Sequence, residues 1–197
     1  MKSLKDYDLG ELLLAVKGAD MADEAFAELL SRYIPLIKKR VVDYFGTVAH
    51  GSEAMQEARI ALHSAAMAYD AERCEGVTFG LYAGVCIANR LKSLMRHNAR
   101  LREKTEDYTE PEKLSSGVDL EERLATKDMC DRVMRVARAE LTEFEYEVFR
   151  LSFDCYSIKD IAAMLGKPSK SIENARFRVS RRLRENKAIC DILSDIH

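Results

Sequence analysis

Apolar side chains recur every three or four positions along most of the chain. This spacing places them on one face of a helix, so it predicts amphipathic helices. Runs of alternating β-branched residues, which would favour strands, are not evident. Glycine occurs nine times and proline three times, which leaves few positions where a helix must end. The sequence therefore predicts an all-α fold.

Four helices are predicted in the first half of the chain, each ending where the apolar periodicity is interrupted. They cover residues 9–16, ending near Gly18, then 23–44, 52–68, and 78–102 after a turn at Gly76. Pro35 lies inside the second of them. Because proline lacks a backbone N–H and its ring clashes with the preceding turn, we expect Pro35 to kink or split this helix.

The periodicity fades near the middle of the chain. One proline, one glycine and two serines fall between residues 111 and 117, and acidic residues outnumber basic ones around them. This composition is typical of a flexible linker. We therefore predict two small helical domains, over residues 1–104 and 127–197, joined by a flexible acidic linker over residues 105–126.

Each helix boundary in the last domain has an identifiable chemical cause. Thr142 with Glu145, and Ser157 with Asp160, have the spacing of capping boxes. In this motif the hydroxyl and the carboxylate each accept from the other residue's backbone amide. The turn at 166–168 supplies a glycine for a left-handed helix end and a proline for the first turn of the next helix. A turn this short makes two helices cross steeply, which predicts a helix-turn-helix.

The final predicted helix separates apolar from polar side chains. Ile172, Ala175, Val179 and Leu183 have the spacing of a buried face. Opposite them, the first turns carry polar side chains suited to reading base edges in a DNA major groove, and the later arginines are suited to binding phosphates. The residues assigned to DNA contact are Lys170, Ser171, Glu173, Asn174, Arg176, Phe177, Arg178, Arg181 and Arg182. The alternative interpretation is that these arginines form the solvent-exposed face of a simple helical bundle and bind nothing.

The distribution of charge favours a nucleic-acid partner, although the formal net charge is −2. Residues 157–187 contain nine lysines and arginines against three acidic residues, and a second basic run spans residues 90–104. An acidic segment lies between the two. Since a summed charge hides where the charges lie, these two basic runs matter more than the total.

Two motifs in the last domain resemble region 4 of the sigma-70 family of bacterial RNA polymerase subunits. They are YSIKDIA at residues 156–162 and KSIENA at 170–175, the latter followed by RVSRRL at 178–183. The resemblance is specifically to sigma-H-like alternative factors, of the sporulation, stationary-phase or extracytoplasmic type. It implies that the final helix reads the minus-35 promoter element. Cys155 stands where family members usually carry glycine, so we expect a different backbone geometry there.

The resemblance continues through most of the first domain. Residues 8–33 are similar to the start of region 2, and residues 56–62 resemble the helix that docks on polymerase. Contact with the beta-prime and beta subunits of the core enzyme is thereby implied for Glu53, Gln56, Glu57 and Ile60. Arg59 departs from the family pattern, in which small residues usually follow the Gln-Glu pair.

Residues 78–91 resemble the helix that captures the melted minus-10 element. The residues implied in this contact are Phe79, Tyr82, Asn89, Arg90, Lys92 and Arg96. Aromatic rings can stack on a base that has left the duplex, while cations hold its backbone. Phe79 and Tyr82 have two interpretations at this point, as stacking platforms or as core residues, because helical spacing fits both.

The sequence carries no recognisable catalytic motif. A glycine-rich phosphate loop, an H-E-x-x-H motif and a G-x-S-x-G motif are not found, so we predict no catalytic residues and no cofactor. The five cysteines have no metal-ligand spacing and are interpreted as reduced core residues. Since neither a signal peptide nor a membrane-spanning stretch is evident, we expect a cytoplasmic protein without membrane contact.

The function expected from the resemblance is that of an alternative sigma factor, which directs core polymerase to specific promoters and helps to initiate transcription. Its expected partners are the core enzyme and promoter DNA in double-stranded and melted form, and an anti-sigma protein is a further candidate. One alternative is a stand-alone helix-turn-helix regulator, which would bind DNA without polymerase. Another is a sigma-like protein that needs a partner subunit.

Overall fold

A computed structural model describes residues 3–46, 52–72, 74, 76–103 and 120–187. Within these ranges the chain is helical and contains no strand, which confirms the all-α prediction. A 3-10 helix at Leu4–Asp6 is followed by α1 (Leu9–Lys17), α2 (Ala22–Phe45), α3 (Ser52–Ala68), α4 (Phe79–Glu103), α5 (Leu120–Glu140), α6 (Glu143–Phe153), α7 (Ile158–Leu165) and α8 (Ser169–Glu185). Among these helices, none has the length and apolar character needed to cross a membrane.

The helices of the first half lie within a residue or two of their predicted bounds. Pro35 was expected to kink or split the second helix, and it does not split it, because α2 runs unbroken through this residue. A proline costs a helix one hydrogen bond and a steric clash. Burial of Leu29, Tyr33, Ile37 and Val41 along one face of α2, each 0% exposed, offsets that cost.

The chain forms two compact units. The first contains the described residues of 1–68 and 83–123, and the second those of 69–82 and 124–197. The short segment that leads into α4 therefore belongs with the C-terminal helices. Helix α5 begins at Leu120, inside the predicted linker, whose residues 105–119 lie outside the described part.

In the first unit, α1 packs on α2 and α3, and α2 also packs on α3. Helix α1 begins at a capping box, in which the backbone nitrogen of Glu11 donates to Asp8 at 2.8 Å and that of Asp8 donates to Glu11 at 2.9 Å. Leu12 from α1, Leu29 from α2 and Leu62 from α3 are all 0% exposed. These three helices thus contribute to the core of this unit, and so does α4, whose Ile87 and Leu91 are also 0% exposed.

In the second unit, α6, α7 and α8 enclose a common apolar core. Its buried members are Val148, Leu151, Ile161, Ile172 and Ala175. Ile172 and Ala175 were predicted to face inward, so the helical spacing in the sequence correctly identified the part of this core that α8 contributes.

The predicted capping boxes at the starts of α6 and α7 are confirmed. The backbone nitrogen of Glu145 donates to the hydroxyl of Thr142 at 3.4 Å, and that of Asp160 donates to Ser157 at 3.2 Å. Gly166 ends α7 with φ +60°, the predicted left-handed conformation. The proline that follows is the N-cap of α8 and not, as predicted, part of its first turn.

The turn between α6 and α7 contradicts one expectation. Cys155 has φ +61°, so the chain adopts the left-handed conformation that glycine would favour, although the residue carries a side chain. Burial raises the pKa of the Cys155 thiol to about 12. Cys74, Cys86 and Cys130 are buried, as predicted for core residues, and Cys190 lies outside the described residues.

The segment leading into α4 packs tightly inside the second unit. The ring of Tyr69 lies edge-on to Phe79 at 5.4 Å between centroids, and its hydroxyl donates to the carbonyl oxygen of Val77 at 2.7 Å. The backbone nitrogen of Gly80 donates to Oδ1 of Asp154 at 2.9 Å. Because Asp154 is largely buried at the end of α6, its pKa is raised to about 6.

Candidate nucleic-acid interface

Helix α8 is held against the rest of the second unit by a narrow apolar face. Ile172 and Ala175 are 0% exposed and Val179 is 6% exposed, while Leu183 is half-buried. All four were predicted to face inward. Because an α-helix turns about 100° per residue, the opposite side of α8 is directed away from this core.

The outward side of α8, here called the α8 outer face, consists of residues one or two turns apart. Its members are Lys170, Glu173, Asn174, Phe177 and Arg181, all of which are exposed, as predicted. The ammonium of Lys170 pairs with the carboxylate of Glu173 at 3.0 Å. Ser171, also assigned to DNA contact, is half-buried beside this face.

Two of the predicted phosphate-binding arginines make contacts within the protein. Nε of Arg178 donates to Oε1 of Glu145 at 2.8 Å, and a guanidinium nitrogen of Arg182 donates to Oε2 of the same carboxylate at 2.9 Å. Arg182 also donates to the carbonyl oxygen of Glu140 at 3.3 Å. Their side chains remain 44% and 43% exposed, so these two arginines fasten α8 to α6 while part of each guanidinium faces outward.

Glu145 is the centre of this arrangement and was recognised in the sequence only as a cap. Its side chain is 3% exposed and accepts from Thr142 as well as from the two arginines. Burial alone would raise the pKa of the Glu145 carboxyl, but the hydrogen bonds from Arg178 and Thr142 outweigh it and lower the pKa. The carboxylate therefore stays ionised and joins the N-terminus of α6 to the middle of α8.

Arg176 and Arg181 differ from Arg178 and Arg182, which are bound to Glu145. Both are exposed, and neither forms an ion pair with any residue that the structure describes. Arg181 lies on the α8 outer face, and Arg176 lies at its edge. Since their charges are not neutralised by described neighbours, these are the cations of α8 best suited to bind phosphate.

The basic part of α4 in the first unit presents a smaller set of cations than predicted. Nε of Arg90 pairs with Oε2 of Glu57 on α3, and both side chains are largely buried. Arg96 is exposed, while Asn89 and Lys92 are half-buried. Of the residues assigned to the melted strand, Arg96 is thus the exposed cation, and Arg90 holds α4 against α3.

Of the two interpretations of Phe79 and Tyr82, the structure supports the one that places them in the core. Both residues are 2% exposed, and both rings pack against Tyr69, at centroid distances of 5.4 Å and 5.6 Å. The alternative interpretation, that they are core residues, is confirmed. Helical spacing alone did not distinguish these two interpretations, because a base-stacking ring and a buried core ring can occupy the same positions of the helical repeat.

One side of α3 carries the residues assigned to polymerase docking. Glu53 and Gln56 are exposed, Ile60 is 45% exposed, and Met67 is 49% exposed two turns further on. Glu57 is the exception, because it turns inward to Arg90. The exposed row thus combines polar residues at the start of α3 with apolar residues towards its end.

No model of a known protein family matches the chain, and no curated protein matches its sequence.

Proposed function

We propose that the chain is a promoter-selecting subunit of bacterial RNA polymerase, of the sigma-70 type. In this proposal α7 and α8 form a helix-turn-helix whose second helix enters the major groove of the minus-35 element. The exposed row on α3 docks on the core enzyme, which performs RNA synthesis. The chain itself contributes binding and not catalysis.

The observation that carries this proposal is the construction of α8. Its inner face is fixed by the apolar core and by Arg178 and Arg182 on Glu145. Its outer face presents polar side chains, the exposed Phe177 and the unneutralised Arg181, with the unneutralised Arg176 at the edge of that face. A rigid helix that presents amide and basic side chains is what reading of base edges and binding of phosphates both require.

Two further observations support the polymerase part of the proposal. The motifs at residues 156–162 and 170–183 resemble region 4 of sigma-70 factors in order and spacing. On α3, the exposed Ile60 and Met67 add apolar surface to a polar row that resembles the docking helix. Protein interfaces commonly combine such an apolar centre with a polar rim.

The DNA-binding part is tested by the salt dependence of binding. Replacing Arg181 with alanine is expected to weaken binding to every duplex and to reduce the slope of log K against log salt by about 0.9, since one phosphate contact is lost. Arg176→Ala is expected to act in the same way. Binding of the full chain to a labelled duplex, measured at several salt concentrations, gives the slope.

Arg135→Ala is the matched control, because Arg135 is exposed on α5 and outside the proposed helix-turn-helix. It should leave the slope unchanged. Arg178 is unsuitable for this purpose, since its removal also breaks the pair with Glu145. Equal slopes for the wild type, Arg181→Ala and Arg176→Ala would contradict phosphate contact by α8.

A further inference from the structure

An aromatic side chain stands at the centre of the α8 outer face. Phe177 is 69% exposed, and the helical turn of about 100° per residue places it almost opposite the buried Ala175 and Val179. Its neighbours on that face, Asn174 and Arg181, are polar. A ring in this position has no apolar partner on its own helix.

We propose that Phe177 selects thymine by packing against its 5-methyl group in the major groove. This inference rests on the proposed DNA-binding function of α8 and adds to it the base that the ring recognises. Phe177 has no hydrogen-bonding group, so it cannot read the donors and acceptors of a base edge. Thymine alone presents a methyl group in the major groove, and that group matches an apolar side chain.

The surroundings of the ring favour DNA over a protein as its partner. Arg181 lies one turn after Phe177, and Arg176 lies beside it, both without an ion pair to a described residue. Such cations fit a phosphate backbone on either side of a groove. An apolar protein surface would instead require a continuous apolar patch, whereas Glu173, Asn174 and Arg181 surround this ring with polar groups.

The spacing along α8 indicates which thymine is read. Asn174 precedes Phe177 by three residues, or about 4.5 Å along the helix axis. Successive base pairs are about 3.4 Å apart, so the two side chains face neighbouring base pairs. Asparagine pairs best with adenine. We therefore expect the selected thymine to lie one or two base pairs from an adenine that depends on Asn174.

The test compares thymine with uracil, which pairs identically but lacks the methyl group. The full chain first selects its preferred duplex from a random library, and each thymine of that duplex is then replaced by uracil in turn. The wild type is expected to lose about fourfold in affinity at one position, the factor that corresponds to burial of one methyl group. Phe177→Ala should bind the thymine duplex about fourfold more weakly and show no preference for thymine over uracil.

Met164→Ala is the matched control, because Met164 is a 55% exposed apolar residue on α7. It should retain the preference for thymine. Thermal melting should show that Phe177→Ala is folded, since the ring is exposed. A wild type that binds thymine and uracil equally, or a Phe177→Ala variant that still prefers thymine, overturns the inference and leaves DNA binding by α8 intact.

Two other outcomes separate this inference from the proposed function. If the wild type binds no duplex, alone or with core polymerase, the proposed function fails, and the inference fails with it. If Phe177→Ala binds every duplex like the wild type but loses transcription with core polymerase, the ring contacts a protein and the thymine assignment is overturned.

Discussion

Replacing Gly80 with alanine is expected to destabilise the second unit by about 3 kcal/mol, at the upper end of the usual cost of overpacking. A Cβ at this position would overlap the carbonyl oxygen of Phe153 and lie 2.9 Å from the backbone nitrogen of Asp154. The neighbours are backbone atoms, which cannot move aside as a flexible side chain can. To relieve this overlap, α4 would have to move away from the end of α6, which would lengthen the hydrogen bond from Gly80 to Asp154.

Gly84→Ala, one turn further along α4, provides the matched control. The nearest atom to its added Cβ, outside the helix itself, is a guanidinium nitrogen of Arg40 at 3.9 Å. Because alanine is the better helix former and the added Cβ would make only an ordinary van der Waals contact, this variant should be stabilised by about 0.5–1 kcal/mol. Urea unfolding followed by circular dichroism measures both. Equal effects of the two substitutions would contradict the close packing at Gly80.

Replacing Glu145 with alanine is expected to cost about 2–3 kcal/mol of unfolding free energy. The variant loses the capping box of α6, worth about 1 kcal/mol, together with the charge-assisted hydrogen bonds from Arg178 and Arg182. Since these arginines fasten α8, the substitution should also weaken DNA binding although Glu145 itself faces inward. Unfolding in urea at neutral pH measures the first effect, and duplex affinity measures the second.

Glu143→Ala is the control for this effect, because Glu143 is in the same turn and its ion pair among the described residues is with the exposed Arg138. It should change stability by less than about 0.5 kcal/mol. The pH dependence provides a second check. The pKa of Glu145 is lowered in the folded state, so its contribution is present above its ordinary value of 4.5 and is lost as the pH falls through the folded value. A difference between wild type and Glu145→Ala that persists undiminished at pH 2 would contradict the ion pairs.

Local interactions were predicted well from the sequence, and distant ones were not. The capping boxes at Thr142 and Ser157 join residues three positions apart, so their spacing is visible in the sequence. The hydrogen bond from Gly80 to Asp154 joins residues 74 positions apart, and no local pattern indicates it. In the sequence, close packing of α4 at this point is indicated only by the presence of a glycine, Gly80, inside a predicted helix.

In the candidate interface, too, features that depend on local spacing were predicted and contacts with distant residues were not. Helical spacing correctly separated the buried row of α8, including Ile172 and Val179, from the exposed residues. It could not show that Arg178 is partly engaged by Glu145 whereas Arg181 has no described ion-pair partner, because the difference depends on a residue 33 positions away. Phe79 was ambiguous for the same reason, since only the packing of the second unit decides whether the ring is buried.

Run-off transcription tests the sigma-type function most directly. The template carries the duplex sequence selected by this chain at the minus-35 position, and purified bacterial core polymerase is supplied with or without the chain. A sigma-type subunit predicts a discrete transcript only when both proteins are present, and its loss when Arg176 and Arg181 are replaced together by alanine. Tight binding to the template without any transcript that depends on the chain and the core enzyme together would contradict this function and favour a stand-alone regulator.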